Sequence, residues 1–493
     1  MSELKKYKMF IDGEWVDSDT KKTFETLNPE NNKPWAVVPE ASANDVDRAV
    51  TAAQKAFEGE WPKLLPRERA KFLRAIGNKL RENAELLGKV ETIDTGKLYR
   101  ETHKQANYIA EYYDYYAGLA DKVEGSVLPI DKPNIQAITT RIPIGVIAAI
   151  VPWNSQMFLT ATKLAPALAM GNTVVIKCSE LAPATMFEFA KLVEETGIPK
   201  GVVNVITGFG DPCGKALTSH KLVEKIAFTG GPETARHIIR NSAENLSEVS
   251  LELGGKSPVA VFNDAHQENA INGITAGIFG ATGQSCIAGS RLYLQKEIYN
   301  EFLDKLAARA EKIKIGAPMD PETEMGPLSN FKQLEVIEKN IKLTLEQGGK
   351  LKCGGKRHTF SNEGYYFPPT IIECDNHNLP AAENELFGPV LSVMKFDTEK
   401  EVIEKMNDNQ YGLSSGVYTS DLARGLRVSN AVRAGITFVN TYRLISPSAP
   451  FGGIKDSGYG KEAGIESIKD YTRVKTIWYY TSDEPTLDPF AIR

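Results

Sequence analysis

Gly145-Val146-Ile147-Ala148-Ala149-Ile150-Val151-Pro152-Trp153-Asn154 is the stretch on which the fold turns. A short apolar run opens after a glycine and is halted by Pro152, which predicts a buried strand over 145–151. The rhythm continues downstream. Residues 173–177, 202–206 and 224–228 read as buried strands, and 183–196, 211–219 and 233–244 as helices between them. Strands alternating with helices imply βαβ units, a parallel sheet and right-handed crossovers. The pattern resumes after Glu252, with strands near 258–262, 291–294, 413–418 and 436–439, so a second α/β layer is expected.

Upstream, the first hundred or so residues read mainly as helices. Ser42-Ala43-Asn44-Asp45 caps an Ala-rich amphipathic stretch ending near Phe57, and Pro66-Arg67-Glu68 opens another helix with Pro in its first turn. The tyrosines between Tyr108 and Ala117 read as a packed helix face. At the other end, Thr476-Ile477-Trp478-Tyr479-Tyr480-Thr481 reads as a lone apolar strand that needs a partner, and a neighbouring subunit would supply one.

A chain of 493 residues exceeds one ordinary core, so two or three domains are expected. Apolar residues at 42% and charged residues at 25% describe a globular chain. A net charge of −5 lacks the basic face that nucleic-acid binding needs. No run approaches the ~20 apolar residues of a spanning helix. The segment from Met1 to Tyr7 is charged and has no apolar core of a secretory signal. The five cysteines are odd in number and scattered, with no C-x-x-C pair, and the six histidines show no metal spacing. No disulfide framework or metal site is expected, and the compartment is expected to be reducing and cytoplasmic.

Glycine-rich turns follow two predicted strands: Gly208-Phe209-Gly210, and Phe228-Thr229-Gly230-Gly231. Glycine there lets backbone N–H groups approach a pyrophosphate at a helix N-terminus, although neither turn is a full G-x-G-x-x-G and each alone is also an ordinary turn. Lys177 and Glu180 fall at the carboxyl end of a strand, where open α/β sheets bind ligands, and there they could hold ribose hydroxyls. Asn154 follows another strand end, where a side-chain amide can donate to an oxyanion. Cys286 lies in Gly283-Gln284-Ser285-Cys286-Ile287-Ala288-Gly289, where small neighbours leave room for a substrate. Glu252, in Glu252-Leu253-Gly254-Gly255-Lys256, offers a carboxylate base for such a thiol or for a water.

Together these motifs resemble the aldehyde dehydrogenase superfamily through essentially the whole chain. Pro152-Trp153-Asn154, Lys177 with Glu180, Phe228-Thr229-Gly230, Glu252 to Lys256, Gly283 to Cys286, Glu385-Leu386-Phe387-Gly388-Pro389 and Pro450-Phe451-Gly452-Gly453 carry the resemblance. It implies an α/β fold with three parts. A Rossmann-type cofactor domain would span 1–124 and 144–254, and an α/β catalytic domain 255–456. A small β oligomerisation element would come from 125–143 and 457–493.

The resemblance also implies roles. Cys286 would attack the aldehyde, with Asn154 and the Cys286 N–H as oxyanion hole, and Glu252 would activate the water that hydrolyses the thioester. Lys163 and Glu462 would relay protons from Glu252. Lys177 and Glu180 would hold the adenosine ribose and Glu385 the nicotinamide ribose. Phe387 would lie beside the ring, and Trp153 with Phe228, Thr229, Gly230 and Gly231 at the pyrophosphate. Gly210 and Leu253 belong to the same cofactor cleft. Ser155, Phe158, Leu159, Ile287, Tyr442, Arg443, Ile445 and Phe451 would line the substrate tunnel.

NAD is the expected cofactor, since a carboxylate at Glu180 suits a 2′-hydroxyl and repels a 2′-phosphate, while NADP use stays open. Gly231-Pro232 stands where the family usually has Ser, and Ala235 where Gly is common, which implies an altered cofactor grip. Arg443 suggests a polar or anionic aldehyde, and the run Asn440-Thr441-Tyr442-Arg443 is similar to bacterial hydroxybutyrolactone and semialdehyde members. The expected assembly is a homodimer or homotetramer. Two other readings are a CoA-acylating semialdehyde dehydrogenase, which generally lacks the carboxylate found at Glu252, and a crystallin-like binding protein without activity.

Overall fold

The computed structural model describes residues 4–358, 360, 363–486 and 488–490, so Met1-Ser2-Glu3 of the N-terminal reading lie outside the described residues. An eight-stranded sheet organises one half of the molecule. Its strands run, in spatial order, Gly458–Tyr459, Glu248–Glu252, Val223–Thr229, Val146–Ile150, Thr173–Cys178, Val203–Thr207, Met9–Ile11 and Glu14–Val16. The five from Glu248–Glu252 to Val203–Thr207 are parallel. Val146–Ile150 and Thr173–Cys178 are buried at every residue, as parallel strands covered on both faces must be. The chain builds outward from Val146–Ile150 to one side and then returns to add Val223–Thr229 on the other. The crevice beyond these two strands is therefore the topological switch point, where ligands bind this class of sheet.

A seven-stranded sheet forms the second half: Lys350–Cys353, Thr370–Glu373, Val390–Phe396, Arg291–Gln295, Pro258–Val261, Ser414–Tyr418 and Ile436–Val439. It is parallel except for Lys350–Cys353. A third sheet joins Thr472–Tyr480, Ile135–Pro143 and Val127–Leu128. No helix among the described residues is long and apolar enough to cross a membrane.

The structure corrects four expectations. The first hundred residues are mainly helical only from Ala43 onward: Lys5–Lys6, Met9–Ile11, Glu14–Val16, Thr23–Asn28 and Lys33–Pro39 precede the first helix, Ala43–Glu58. Met9–Ile11 is buried but only three residues long, and the other four are of mixed or full exposure, so none shows the longer apolar run that marks a buried strand. The segment 211–219 is α-helical only over Lys215–Thr218, because Asp211 is extended and Pro212 brings no N–H. The terminal strand Thr472–Tyr480 is not alone, since it pairs antiparallel with Ile135–Pro143 of its own chain along its whole length. Gly458–Tyr459, grouped by sequence with the tail, instead extends the eight-stranded sheet beside Glu248–Glu252.

The tyrosine-rich segment lies in the helix Tyr99–Leu119, where Tyr112, Tyr113 and Tyr116 are buried. That face packs into the core, as read.

Candidate active site

Three loops close on one another because glycines leave the space. A Cβ on Gly254 would collide with the Glu385 carboxylate, one on Gly255 with the Cys286 carbonyl, and one on Gly283 with the Gly388 backbone. Gly283 also holds φ +72° in a left-handed stretch with Ala281 and Thr282, which turns the chain sharply before Cys286. The loops carrying Cys286 and Glu385, which lead into the strands Arg291–Gln295 and Val390–Phe396, thus meet the loop that leaves the strand ending at Glu252.

Cys286 is part-buried and not disulfide-bonded. Burial first, and the negative charge of Glu252 second, push its thiol up to about 12. At neutral pH the thiol is therefore protonated and needs a base or a local positive charge to react. Glu252 is buried, and neither carboxylate oxygen has a hydrogen-bond partner among the described residues. Burial and the nearby Glu462 carboxylate raise its pKa well above the usual carboxylate range. Behind it, the buried Lys163 ammonium contacts Glu462 and donates to Thr229 Oγ1 at 2.5 Å, while Thr162 Oγ1 donates to Glu462 Oε2 at 2.8 Å. Asn154 Nδ2 donates to the Gln284 carbonyl at 3.1 Å, which uses one of its two amide hydrogens and pins it near the thiol loop.

A cavity of about 870 Å³ fills the switch-point crevice. It takes in Trp153, Asn154, Lys177, Glu180, Gly210, Phe228, Thr229, Gly230, Gly231, Glu252, Leu253, Glu385 and Phe387, so the predicted cofactor residues share one space. Lys177 Nζ lies 3.4 Å from Glu180 Oε2 at one end. Phe387 meets Trp153 edge-on at 5.4 Å. Glu385 Oε1 accepts from the Gly255 N–H at 2.9 Å, and burial brings its carboxyl up to about 7. Gly231 opens the helix Pro232–Ser242, and nothing lies within 4 Å of where its Cβ would be. Sequence reasoning missed Thr234, His237, Asn241 and Gln333 on the same walls, because ordinary helix residues carry no local mark.

A second cavity, of about 410 Å³, adjoins through Asn154 and reaches Ser285, next to Cys286. Of the predicted tunnel residues it takes in Ser155, Tyr442 and Arg443. Phe158 packs edge-on against Tyr112, Leu159 and Ile287 are buried, the Ile445 carbonyl accepts from Tyr108 Oη, and Phe451 pairs through its backbone with Glu462. These five line neither cavity. Lys97, Glu101 and Gln105 were not anticipated, and they form the opposite wall.

A model of the Aldehyde dehydrogenase family matches residues 15–477. The chain is 52% identical, over 99% of its own length and 100% of the relative, to the (Z)-2-((N-methylformamido)methylene)-5-hydroxybutyrolactone dehydrogenase of Acinetobacter baylyi. It is 40% identical to the betaine aldehyde dehydrogenase of Bacillus subtilis, covering 96% of this chain and 97% of that one. Among solved structures it is similar to the Staphylococcus aureus betaine aldehyde dehydrogenase in complex with NAD+ (TM-score 0.96, 38% identity, 99% and 97% covered). It is likewise similar to an NAD+ complex of a Bacillus cereus aldehyde dehydrogenase (TM-score 0.95, 40% identity, 97% of each covered).

Proposed function

The chain belongs to the aldehyde dehydrogenase family, and from that premise we propose that it oxidises an aldehyde to the carboxylic acid with NAD, using Cys286, Asn154 and Glu252. The observation that carries this is the convergence of a thiol, an amide donor and an unpartnered buried carboxylate beside the switch-point cavity. The cavity fits NAD by its donor set. Lys177 and Glu180 suit ribose hydroxyls, bare backbone at Gly230 and Gly231 suits the pyrophosphate, and Glu385 with Phe387 suits the nicotinamide riboside. NAD, when bound, supplies the hydride acceptor.

Cys286 Sγ adds to the aldehyde carbon. Asn154 Nδ2 and the Cys286 N–H donate to the oxygen as it gains charge, and losing one such donor costs roughly 10²–10³ in rate. Glu252 takes a proton from water, whose oxygen then displaces sulfur from the thioester. Glu462 and Lys163, in contact behind Glu252, carry the proton onward. A base at this position supports release of a free acid rather than transfer to CoA. The relative from Acinetobacter supports an oxygen-rich substrate of hydroxybutyrolactone type.

The cofactor-binding part comprises 1–124 and 144–254, the catalytic part 255–456, and the bridging part 125–143 with the tail. The active form is a homodimer or homotetramer. The test is an aldehyde panel followed by NADH absorbance, with the acid product identified in the absence of CoA. Turnover that requires CoA, or that survives in Cys286→Ser, would reject the reading.

A further inference from the structure

The second cavity has walls unlike those expected for an alkyl or aromatic substrate. Lys97, Glu101, Gln105, Ser155, Gln284 and Arg443 line it, and Tyr442 is its one large apolar side chain beside small residues. Arg443 holds φ +61°, a conformation a long side chain rarely adopts, and such strain persists where the surroundings fix it, often at ligand sites. Its Nη1 donates to the Ala276 carbonyl at 3.1 Å, and it has no ion-pair partner among the described residues. The rest of its planar fork is left to bind something else. Lys97 is buried and donates to Ser155 Oγ at 2.6 Å, with Gln105 Oε1 at 3.4 Å and Glu91 Oε1 at 3.5 Å behind. Burial also raises the Glu91 carboxyl, which weakens it as a countercharge to Lys97.

We infer that this cavity is a carboxylate subsite, and that the substrate is a short aldehyde bearing a carboxylate a few atoms from its carbonyl. The inference deepens the function proposed above and rests on Cys286 attacking an aldehyde. The Arg443 fork matches a carboxylate bidentately, and the Ser155 hydroxyl, which accepts from the Lys97 ammonium, supplies a second donor at the neck beside Asn154. Glu101, with one buried oxygen unpartnered, stands opposite and opposes an anion, so it accepts from a hydroxyl or amide of the same substrate. Oxo-acids of this size also close to hydroxylactones, which lack both the free carbonyl and the carboxylate. A subsite for the carboxylate selects the open form that a thiol can attack, and the product is a dicarboxylate.

The test compares kcat/KM for a four-carbon oxo-acid with that for the neutral aldehyde of equal length. Within each protein, the ratio of the two removes any general loss. Arg443→Gln lowers the ratio about 10–100-fold, Arg443→Lys restores part of it, and Glu101→Gln raises it. An unchanged ratio in Arg443→Gln, or a wild-type preference for the neutral aldehyde, overturns the subsite. Binding of succinate to the NAD-loaded protein, followed by calorimetry, decides the point even if no aldehyde is oxidised. Weaker binding by Arg443→Gln supports the subsite, and equal binding removes it. Failure of the wild type on both aldehydes would count against the proposed function instead.

Discussion

A part-buried thiol whose pKa is pushed up to about 12 is a protonated thiol at rest. Alkylation of Cys286 by iodoacetamide in the cofactor-free protein should therefore accelerate steadily between about pH 7 and 10, without a plateau. Mass spectrometry of the modified peptide would follow it, and a plateau near neutrality would show a thiolate already formed. Glu252 carries the complementary sign. Its carboxyl is raised above the ordinary range of about 4.3, so the base form is gained only as pH rises. Turnover limited by thioester hydrolysis should climb with pH well past that range, and Glu252→Gln should keep the initial NADH burst while steady turnover falls about 10²–10⁴-fold. Loss of the burst as well would move Glu252 to the acylation step. These residues were legible because each is a reactive type set among glycines. Lys97 and Glu101 were not legible: they lie far upstream at the start of a helix, and only the fold brings them to Asn154 and Ser155.

Elements were legible where complete burial runs over five or more residues. Val146–Ile150 and Thr173–Cys178 announce themselves as apolar runs because both faces of the sheet are covered. Met9–Ile11 is three residues long and gains its place from pairing with Val203–Thr207 far away in sequence, with Glu14–Val16 beside it at the sheet's edge. No local pattern could supply that. The loop between Glu248–Glu252 and Pro258–Val261 shows the same dependence, for Gly254 is bare so that Glu385 can approach and accept from Gly255. Gly254→Ala should push the Glu385 carboxylate aside and raise the KM for NAD by about 10-fold, with a smaller change in kcat, because it removes binding rather than chemistry. A variant with an unaltered KM for NAD would mean that Glu385 does not hold the cofactor.

At the scale of the molecule, the carboxyl ends of the eight-stranded sheet's parallel strands meet, across one cleft, the loops that lead into the strands of the seven-stranded sheet, and the third sheet stands apart from that chemistry. Its strand Thr472–Tyr480 is satisfied on one edge by Ile135–Pro143 and, among the described residues, has no strand on the other. Open edges of this length invite pairing, and soluble proteins cover or blunt them. This one is not blunted by apolar scarcity. Val474 is 58% exposed, Trp478 57%, and Ile477, Tyr479 and Tyr480 are exposed too. Such a row of aromatic and branched side chains fits a face covered by a second copy, which is where the sequence reading, having grouped 125–143 with the tail in one β element, placed a neighbouring subunit. Sedimentation of the wild type should give a dimer or tetramer at micromolar concentration. Trp478→Lys should shift it toward smaller species while the fold is kept, since the side chain contributes little to the protomer's own core. A wild type that sediments as a monomer, or a Trp478→Lys variant that assembles like the wild type together with a strand-blocking Thr476→Pro, would leave this edge without a role in assembly.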